Sequence, residues 1–304
     1  MTLLVVGSVA FDSVSGPRGA VERMLGGSAT YFSIAASYFT EVQVVGVVGD
    51  DFEDQHHDVL LKRGVCTQGL KRVPGKTFLW SGEYSANMNE RQTLDTQLNV
   101  FATFDPKLPE HYRKSPYLFL GNIDTELQLA VANQMESPTL IAGDTMNFWI
   151  DGKRKELEKT LRKIHILMIN DSEARDLSGE YNLLKAFRVI HSMGPETVVI
   201  KRGDNGATMS HAGEIFSVPA LLLDEVYDPT GAGDSFGGGF MGYLASSGAG
   251  RNGTDKNAFR RAMIYGSVMG SFAVEKFGVD RLLHLSREEI DARLHDFQKL
   301  THFE

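Results

Sequence analysis

The sequence predicts an α/β fold: a mostly parallel central sheet covered by helices on both faces, with a small β lid. Three observations carry this reading. Short runs that are apolar almost throughout recur along the chain, as strands buried on both faces require. Amphipathic stretches of helical length separate them, which is the strand–helix–strand order of a parallel sheet. One segment, 76–101, has no helical period and reads as paired strands instead.

In chain order, Leu3-Leu4-Val5-Val6 opens the sheet and Val42 to Val48 adds a second strand bounded by glycines. Tyr117–Leu120, Thr139–Ala142, Ile166–Ile169 and Thr197–Ile200 repeat the pattern. Helices are expected over 28–39, 52–63, 125–136, 152–163 and 183–193. In the segment without helical period, Thr77 to Tyr84 and Gln92 to Phe101 read as strands joined through Ala86-Asn87-Met88-Asn89. A lid is therefore expected from roughly 13–25 and 70–103. Leu221-Leu222-Leu223 reads as a further short strand, and helices follow over 233–247, 256–275 and 287–302. No repeat, low-complexity tract or linker composition interrupts the 304 residues. At ~150 residues per average domain the length allows two, but the pattern predicts one α/β domain over 1–304.

Composition narrows the classes. With 42% hydrophobic and 23% charged residues, the chain has the balance of a globular protein rather than a disordered one. Thirty-one basic against 39 acidic side chains give a net charge of −8, which argues against a nucleic-acid-binding face. A single cysteine, Cys66, excludes an intrachain disulfide and a cysteine-based zinc cluster. The apolar start is much shorter than a membrane span of ~20 residues, and no basic segment precedes it as in a signal peptide. No membrane association is expected, and the cytoplasm is the expected compartment. The 31 glycines, against nine prolines, imply that backbone comes close to something.

The richest stretch is Asp228-Pro229-Thr230-Gly231-Ala232-Gly233-Asp234-Ser235-Phe236-Gly237-Gly238-Gly239. Small residues at 231–233, opening a helix, leave backbone N–H groups unobstructed where the helix dipole favours negative charge. Such a site suits a phosphate whose charge grows during transfer. Asp234 repels a phosphate, but it suits a base that takes a proton from an attacking hydroxyl. A glycine-rich helix start with Asp as an ordinary N-cap accounts for the stretch equally well.

The stretch Asp228–Met241 resembles the C-terminal signature of the ribokinase/PfkB family of carbohydrate and nucleoside kinases. Gly26-Gly27-Ser28-Ala29 resembles the family's N-terminal pair of glycines opening a helix. The resemblance covers essentially the whole chain. It implies a ribokinase-like fold, ATP with Mg²⁺, and transfer of the γ-phosphoryl group to a CH₂OH of the acceptor. By resemblance, Asp234 is the catalytic base and the amides of Gly231, Ala232 and Gly233 form the anion hole. Asp12 matches the carboxylate that accepts hydrogen bonds from substrate hydroxyls, although alone it reads as an Asx-turn residue. Gly26 and Gly27 would let the backbone approach the sugar. Asn170-Asp171-Ser172-Glu173 resembles the Asn-x-x-Glu motif that organises Mg²⁺ through water; it also reads as a capped helix start. Gly203, in Lys201-Arg202-Gly203-Asp204-Asn205-Gly206, would lie beside the nucleotide, and Thr230 with it; alone, this segment is a hairpin turn. The resemblance extends to a monovalent cation such as K⁺, for which Asp228 would supply oxygen. It also implies a homodimer paired through exposed lid edges.

The acceptor is expected to be an uncharged nucleoside, adenosine-like, because Tyr31 stands where many relatives carry an Asn for the sugar. Phe148, after Asp144-Thr145-Met146-Asn147, replaces a basic residue often found there. Phe78, Trp80, Tyr84 and Phe101 in the lid could stack a nucleobase or simply pack the lid. Arg18, Lys71, Arg72, Lys76 and Arg91 lie near the lid, but none sits in a motif that would grip a phosphorylated acceptor. A free-sugar kinase and a non-catalytic sensor of the same fold are the alternatives. Other signals fail. Gly69 to Thr77 has P-loop residues but five residues between its glycines where four are needed, and no Gly-x-Gly-x-x-Gly follows the first strand. His56-His57 lacks metal-ligand spacing and reads as solvated, Cys66 reads as a small buried hydrophobe, and Asn252-Gly253-Thr254 is a formal glycosylation sequon.

Overall fold

The computed structural model describes residues 1–250 and 256–301; the sequon at 252–254 lies outside them. The chain enters as β1 (Thr2–Val6) and leaves for an antiparallel pair, β2 (Ala10–Gly16) and β3 (Gly19–Gly26). α1 (Ser28–Ala36), β4 (Glu41–Val48), α2 (Asp54–Lys62) and β5 (Cys66–Arg72) follow. A hairpin of β6 (Phe78–Tyr84) and β7 (Arg91–Gln97) comes next. The alternation then resumes with β8 (Tyr117–Leu120), α3 (Thr125–Gln134) and β9 (Leu140–Gly143). α4 (Asn147–Gly152), α5 (Arg154–Leu161), β10 (Ile166–Asn170), α6 (Asp171–Ser178), α7 (Leu183–Ser192) and β11 (Thr197–Lys201) continue it. β12 (Ala207–His211) and β13 (Glu214–Val218) turn antiparallel before α8 (Ala232–Ser247), α9 (Lys256–Ala273), α10 (Asp280–Leu283) and α11 (Arg287–Thr301).

Nine strands form the main sheet in the order β13-β12-β11-β10-β9-β8-β1-β4-β5, parallel from β11 to β5. Because side chains alternate across a sheet, Leu3 and Val5 enter one core with α1, α8, α9 and α11. Leu4 and Val6 enter the other, with α3, α5, α6 and α7. Burial on both sides explains why these strands read as continuous apolar runs. The lid is a separate sheet, β3-β2-β6-β7, with β2 and β6 parallel. It starts at Ala10, while residues 70–72 belong to β5 in the main sheet. β7 is its edge and is exposed along its whole length. No described helix is long and apolar enough to cross a membrane.

Several expectations need correction. Leu221–Leu223 forms no strand: Pro219 ends the edge strand β13 by removing a ladder donor, and Leu222 projects into solvent, 87% exposed. β7 stops at Gln97, because Asn99 adopts a left-handed backbone (φ 50°) and starts a 3₁₀ turn, its side-chain Nδ2 donating to the Thr77 carbonyl. The helix expected over 152–163 begins earlier and breaks at Lys153. Cys66 is only partly buried, and its Sγ accepts from the Tyr112 hydroxyl at 3.1 Å. The histidines are less solvated than expected: His56 packs edge-on to Phe11 at 4.9 Å, and His57 bonds Thr67.

Candidate active site

Strands β1, β9, β10 and β11 run parallel, so their carboxyl ends open on one edge of the sheet, where parallel sheets bind ligands. The chain leaving β1 brings Asp12 there on β2, 4% exposed. A Cβ on Gly26 would overlap the Asp12 carboxylate, and the amide of Gly27 donates to Asp12 Oδ2 at 3.4 Å. Gly27 caps α1 with φ 92°, and a Cβ there would lie 2.5 Å from the Ser8 carbonyl oxygen. Both glycines thus make room for protein atoms, Asp12 and Ser8, rather than only for a ligand. Burial pushes the Asp12 carboxyl up to about 7; the Gly27 N–H opposes this, the charges of Asp228 and Asp234 add to it, and that of Arg91 opposes it.

This pKa has a checkable consequence. Folded protein holds a proton on Asp12, between its ordinary pKa near ~4 and about 7, that unfolded chain has lost. Its effect on stability is therefore unfavourable as pH rises through that window. Asp12→Asn is expected to melt higher than wild type at about pH 8 and nearly with it at about pH 4, as thermal unfolding at the two pH values would show. A gap that does not widen with pH removes Asp12 as the titrating group.

The segment 228–234 is fixed from below. Asp228, fully buried, accepts from Thr230 N at 2.9 Å and Gly278 N at 3.0 Å, so each oxygen already holds a backbone N–H. Thr230 Oγ1 meets the Tyr84 hydroxyl of the lid at 3.1 Å. Gly231 caps α8 in the left-handed region (φ 75°) with the Tyr31 ring packed against it. The helix therefore begins at Ala232, ahead of its expected start, and Asp234 lies in its first turn. The Ala232 amide, expected to join the anion hole, donates to Pro229 O at 3.1 Å. The amides of Gly231 and Gly233 have no acceptor among the described residues. The Tyr31 hydroxyl is buried without a partner, and burial with the nearby carboxylates holds its pKa well above the ordinary value.

Carboxylates converge at the mouth of this turn. Burial raises Asp234, which is only partly sheltered from solvent, and the charges of Lys201 and Arg91 oppose it. Asp144, following β9, has Oδ1 buried without a partner; burial first, then Asp234's charge, drives it well above the carboxylate range. Lys201 ends β11 so close that a Cβ on Gly233 would lie 3.0 Å from its Nζ. Glu173 and Asn170 form the capping box that starts α6, each side chain accepting from the other's backbone N–H at 2.8 Å. Gly203 sits in a left-handed turn (φ 56°) touched by Asn89, whose amide donates to Asp204 Oδ2 at 3.2 Å. Phe148 is 67% exposed, and its ring stands at right angles to that of Trp149 at 4.8 Å.

The structure thus gathers Asp12, Tyr31, Thr230, Gly231, Gly233, Asp234, Asn170, Glu173 and Gly203 along one edge. Tyr84, Arg91, Asp144 and Lys201, named from the sequence only as lid residues or as parts of a motif without a role, join them. Two free amides on a 16-residue helix make a fitting anion cradle. No described group of three or more His, Cys, Asp or Glu could hold a metal alone. The unpartnered Asp144 oxygen near Glu173 fits a magnesium ion that keeps most of its waters.

An anion cradle at a helix start, a carboxylate beside it and a lid overhead define a phosphotransferase that acts on an alcohol. The family model "pfkB family carbohydrate kinase" matches residues 3–284, and the chain belongs to that family. A cytidine kinase of Thermococcus kodakarensis is 28% identical over 249 residues, covering 79% of this chain and 87% of that protein. A Burkholderia thailandensis nucleoside kinase solved with inosine superimposes with TM-score 0.76 at 20% identity, over 97% of this chain and 98% of that one. A ribokinase II from E. coli, solved with ATP and Mg²⁺, gives the same score and identity over 97% and 99%. The ribokinase-like fold and the kinase chemistry expected from the sequence are therefore established.

Proposed function

We propose that the chain transfers the γ-phosphoryl group of ATP to the CH₂OH of a nucleoside. The observation that carries the acceptor class is the pairing of Asp12 with Trp80. The two are register partners on adjacent strands, so they share one face of the lid sheet. A Cβ on Gly82 would overlap the indole, so Trp80 lies flat along the strand. A carboxylate, an acceptor-only group, grips vicinal hydroxyls, and the Trp80 indole on the neighbouring strand, resting on Gly82 under Arg91, offers a base an apolar edge to pack against.

In this reading Asp12 and the unpartnered Tyr31 hydroxyl hold the sugar, with Gly26 and Gly27 behind them. Asp234 takes the proton of the CH₂OH. The hydroxyl oxygen forms the new bond to phosphorus as the bond to the β–γ bridging oxygen breaks, its electron pair leaving with ADP. The amides of Gly231 and Gly233 stabilise the charge on the moving group. Thr230 and Gly203 border the nucleotide. Glu173 and Asn170, with Asp144, would hold Mg²⁺ through water, and the ion would neutralise the β- and γ-phosphates.

ADP release should be measured against nucleosides, free sugars and sugar phosphates, each with Mg²⁺ and ATP. A nucleoside is expected to give the highest kcat/KM, by tenfold or more (on the order of one good stacking contact). A free sugar or sugar phosphate turned over faster than every nucleoside overturns the acceptor class and leaves the kinase intact.

A further inference from the structure

The β6–β7 hairpin of the lid is latched onto the body at two points, one on each side of the transfer site. Tyr84 OH meets Thr230 beside the anion cradle, and Asn89, at the tip between β6 and β7, bonds Asp204 beside Gly203. Between the latches the chain places Arg91, the first residue of β7. It stands opposite Tyr84 in the antiparallel register, on the same face. Its guanidinium lies over the Trp80 ring, 5.3 Å from the centroid, and its charge opposes the effect of burial on the Tyr84 hydroxyl. The ring beneath can lie flat only because residue 82 is glycine. Gly82, Trp80 and Tyr84 thus form a seat for one cation.

Arg91 is exposed with the rest of β7, yet its charge reaches inward. Its charge is felt by Asp12 on the acceptor side, by Asp234 at the cradle and by Glu173 on the nucleotide side. Arg91 forms no ion pair with Asp12, Asp234 or Glu173 among the described residues. An unpaired fork of N–H donors over a phosphate path matches the planar geometry of phosphoryl oxygens.

We propose that Arg91 is a catalytic residue supplied by the lid, donating to the non-bridging oxygens of the phosphoryl group in transit. It takes no part in bond making or breaking and stabilises charge present only while the lid is latched. The uncharged acceptor inferred above leaves this cation to the phosphoryl group, so the inference rests on that reading, and the experiment below separates the two.

The probe is Mg·ADP with and without aluminium fluoride, which mimics the transferring group, titrated by calorimetry into wild type, Arg91→Ala and Arg91→Lys. Aluminium fluoride is expected to tighten Mg·ADP on wild type. Arg91→Ala should lose about tenfold or more of that gain, leaving Mg·ADP alone within about twofold. Arg91→Lys should recover part of it, a point charge replacing the fork incompletely. With the acceptor found by ADP release, kcat of Arg91→Ala should fall on the order of 10²-fold with acceptor KM nearly constant, and added guanidinium should restore part of the rate. An unchanged aluminium fluoride gain, or a variant altered only in acceptor KM, overturns the role; the latter reassigns Arg91 to an anionic acceptor. An unchanged gain leaves the nucleoside reading standing, whereas that reading falls if a free sugar or sugar phosphate releases ADP faster than every nucleoside.

Discussion

Asp234→Asn is expected to lower kcat by on the order of 10³-fold or more, while nucleotide affinity and melting temperature stay near wild type. General-base contributions are typically 10²–10⁴-fold, and here the amide also loses the negative charge that would accept the acceptor proton. The fold should tolerate the change. Asp234 lies in the first turn of α8, and burial already penalises its ionised form, so a neutral isostere costs the native state nothing electrostatically. Burial also raises the carboxyl toward the range in which a base works best, while Lys201 and Arg91 keep it from drifting further. ADP release with the preferred acceptor, a nucleotide titration and a melting curve on the same preparation would decide the matter. Wild-type turnover in this variant would remove Asp234 from the reaction.

The frame of the molecule was legible because its strands obey one simple rule. Leu3–Val6, Tyr117–Leu120 and Ile166–Ile169 are apolar on both faces since both faces are covered, and no polar alternation blurs them. Helix ends fell within a few residues for the same reason: a buried stripe has a period. Residues 13–25 were assigned to the lid, but the strands β2 and β3 themselves did not show, because Asp12, Ser13, Ser15, Glu22 and Arg23 break every apolar run. β5 was missed where Gly69 and Lys71 interrupt it.

At the site, the sequence exposed what chemistry concentrates in one stretch, Thr230 to Asp234, and its likeness to a family. It concealed what the fold brings in from afar. Tyr84 and Asn89 meet Thr230 and Asp204, 146 and 115 residues further along the chain, and Lys201 reaches Gly233 only through the fold. Arg91 read as one of several lid cations because nothing local marks the glycine, tryptophan and tyrosine that seat it. The amide of Ala232 is the reverse case. Its place in the run suggested an anion donor, and only the turn geometry shows it committed to Pro229.

That distinction yields the second large effect, in which neighbouring small residues behave oppositely. Gly231→Ala places a Cβ at φ 75°, where a left-handed backbone costs an L-residue roughly 1–2 kcal/mol. The same Cβ would overlap the Tyr31 ring, which is 1% exposed and cannot swing away. Either the ring or the turn must shift, and in both cases the amides of 231 and 233 lose their common aim. Melting should drop by roughly 3–5 °C, as about 2–3 kcal/mol does in a chain of this size. Turnover should fall on the order of 10²-fold or more, the usual cost of one misplaced anion-hole donor. Ala232→Gly is the control: its amide stays bonded to Pro229 O and its φ is helical, so it loses only helix propensity, about 1 kcal/mol, and little kcat. Loss of rate in Ala232→Gly equal to that in Gly231→Ala would mean that the turn acts through flexibility and not through two aimed amides.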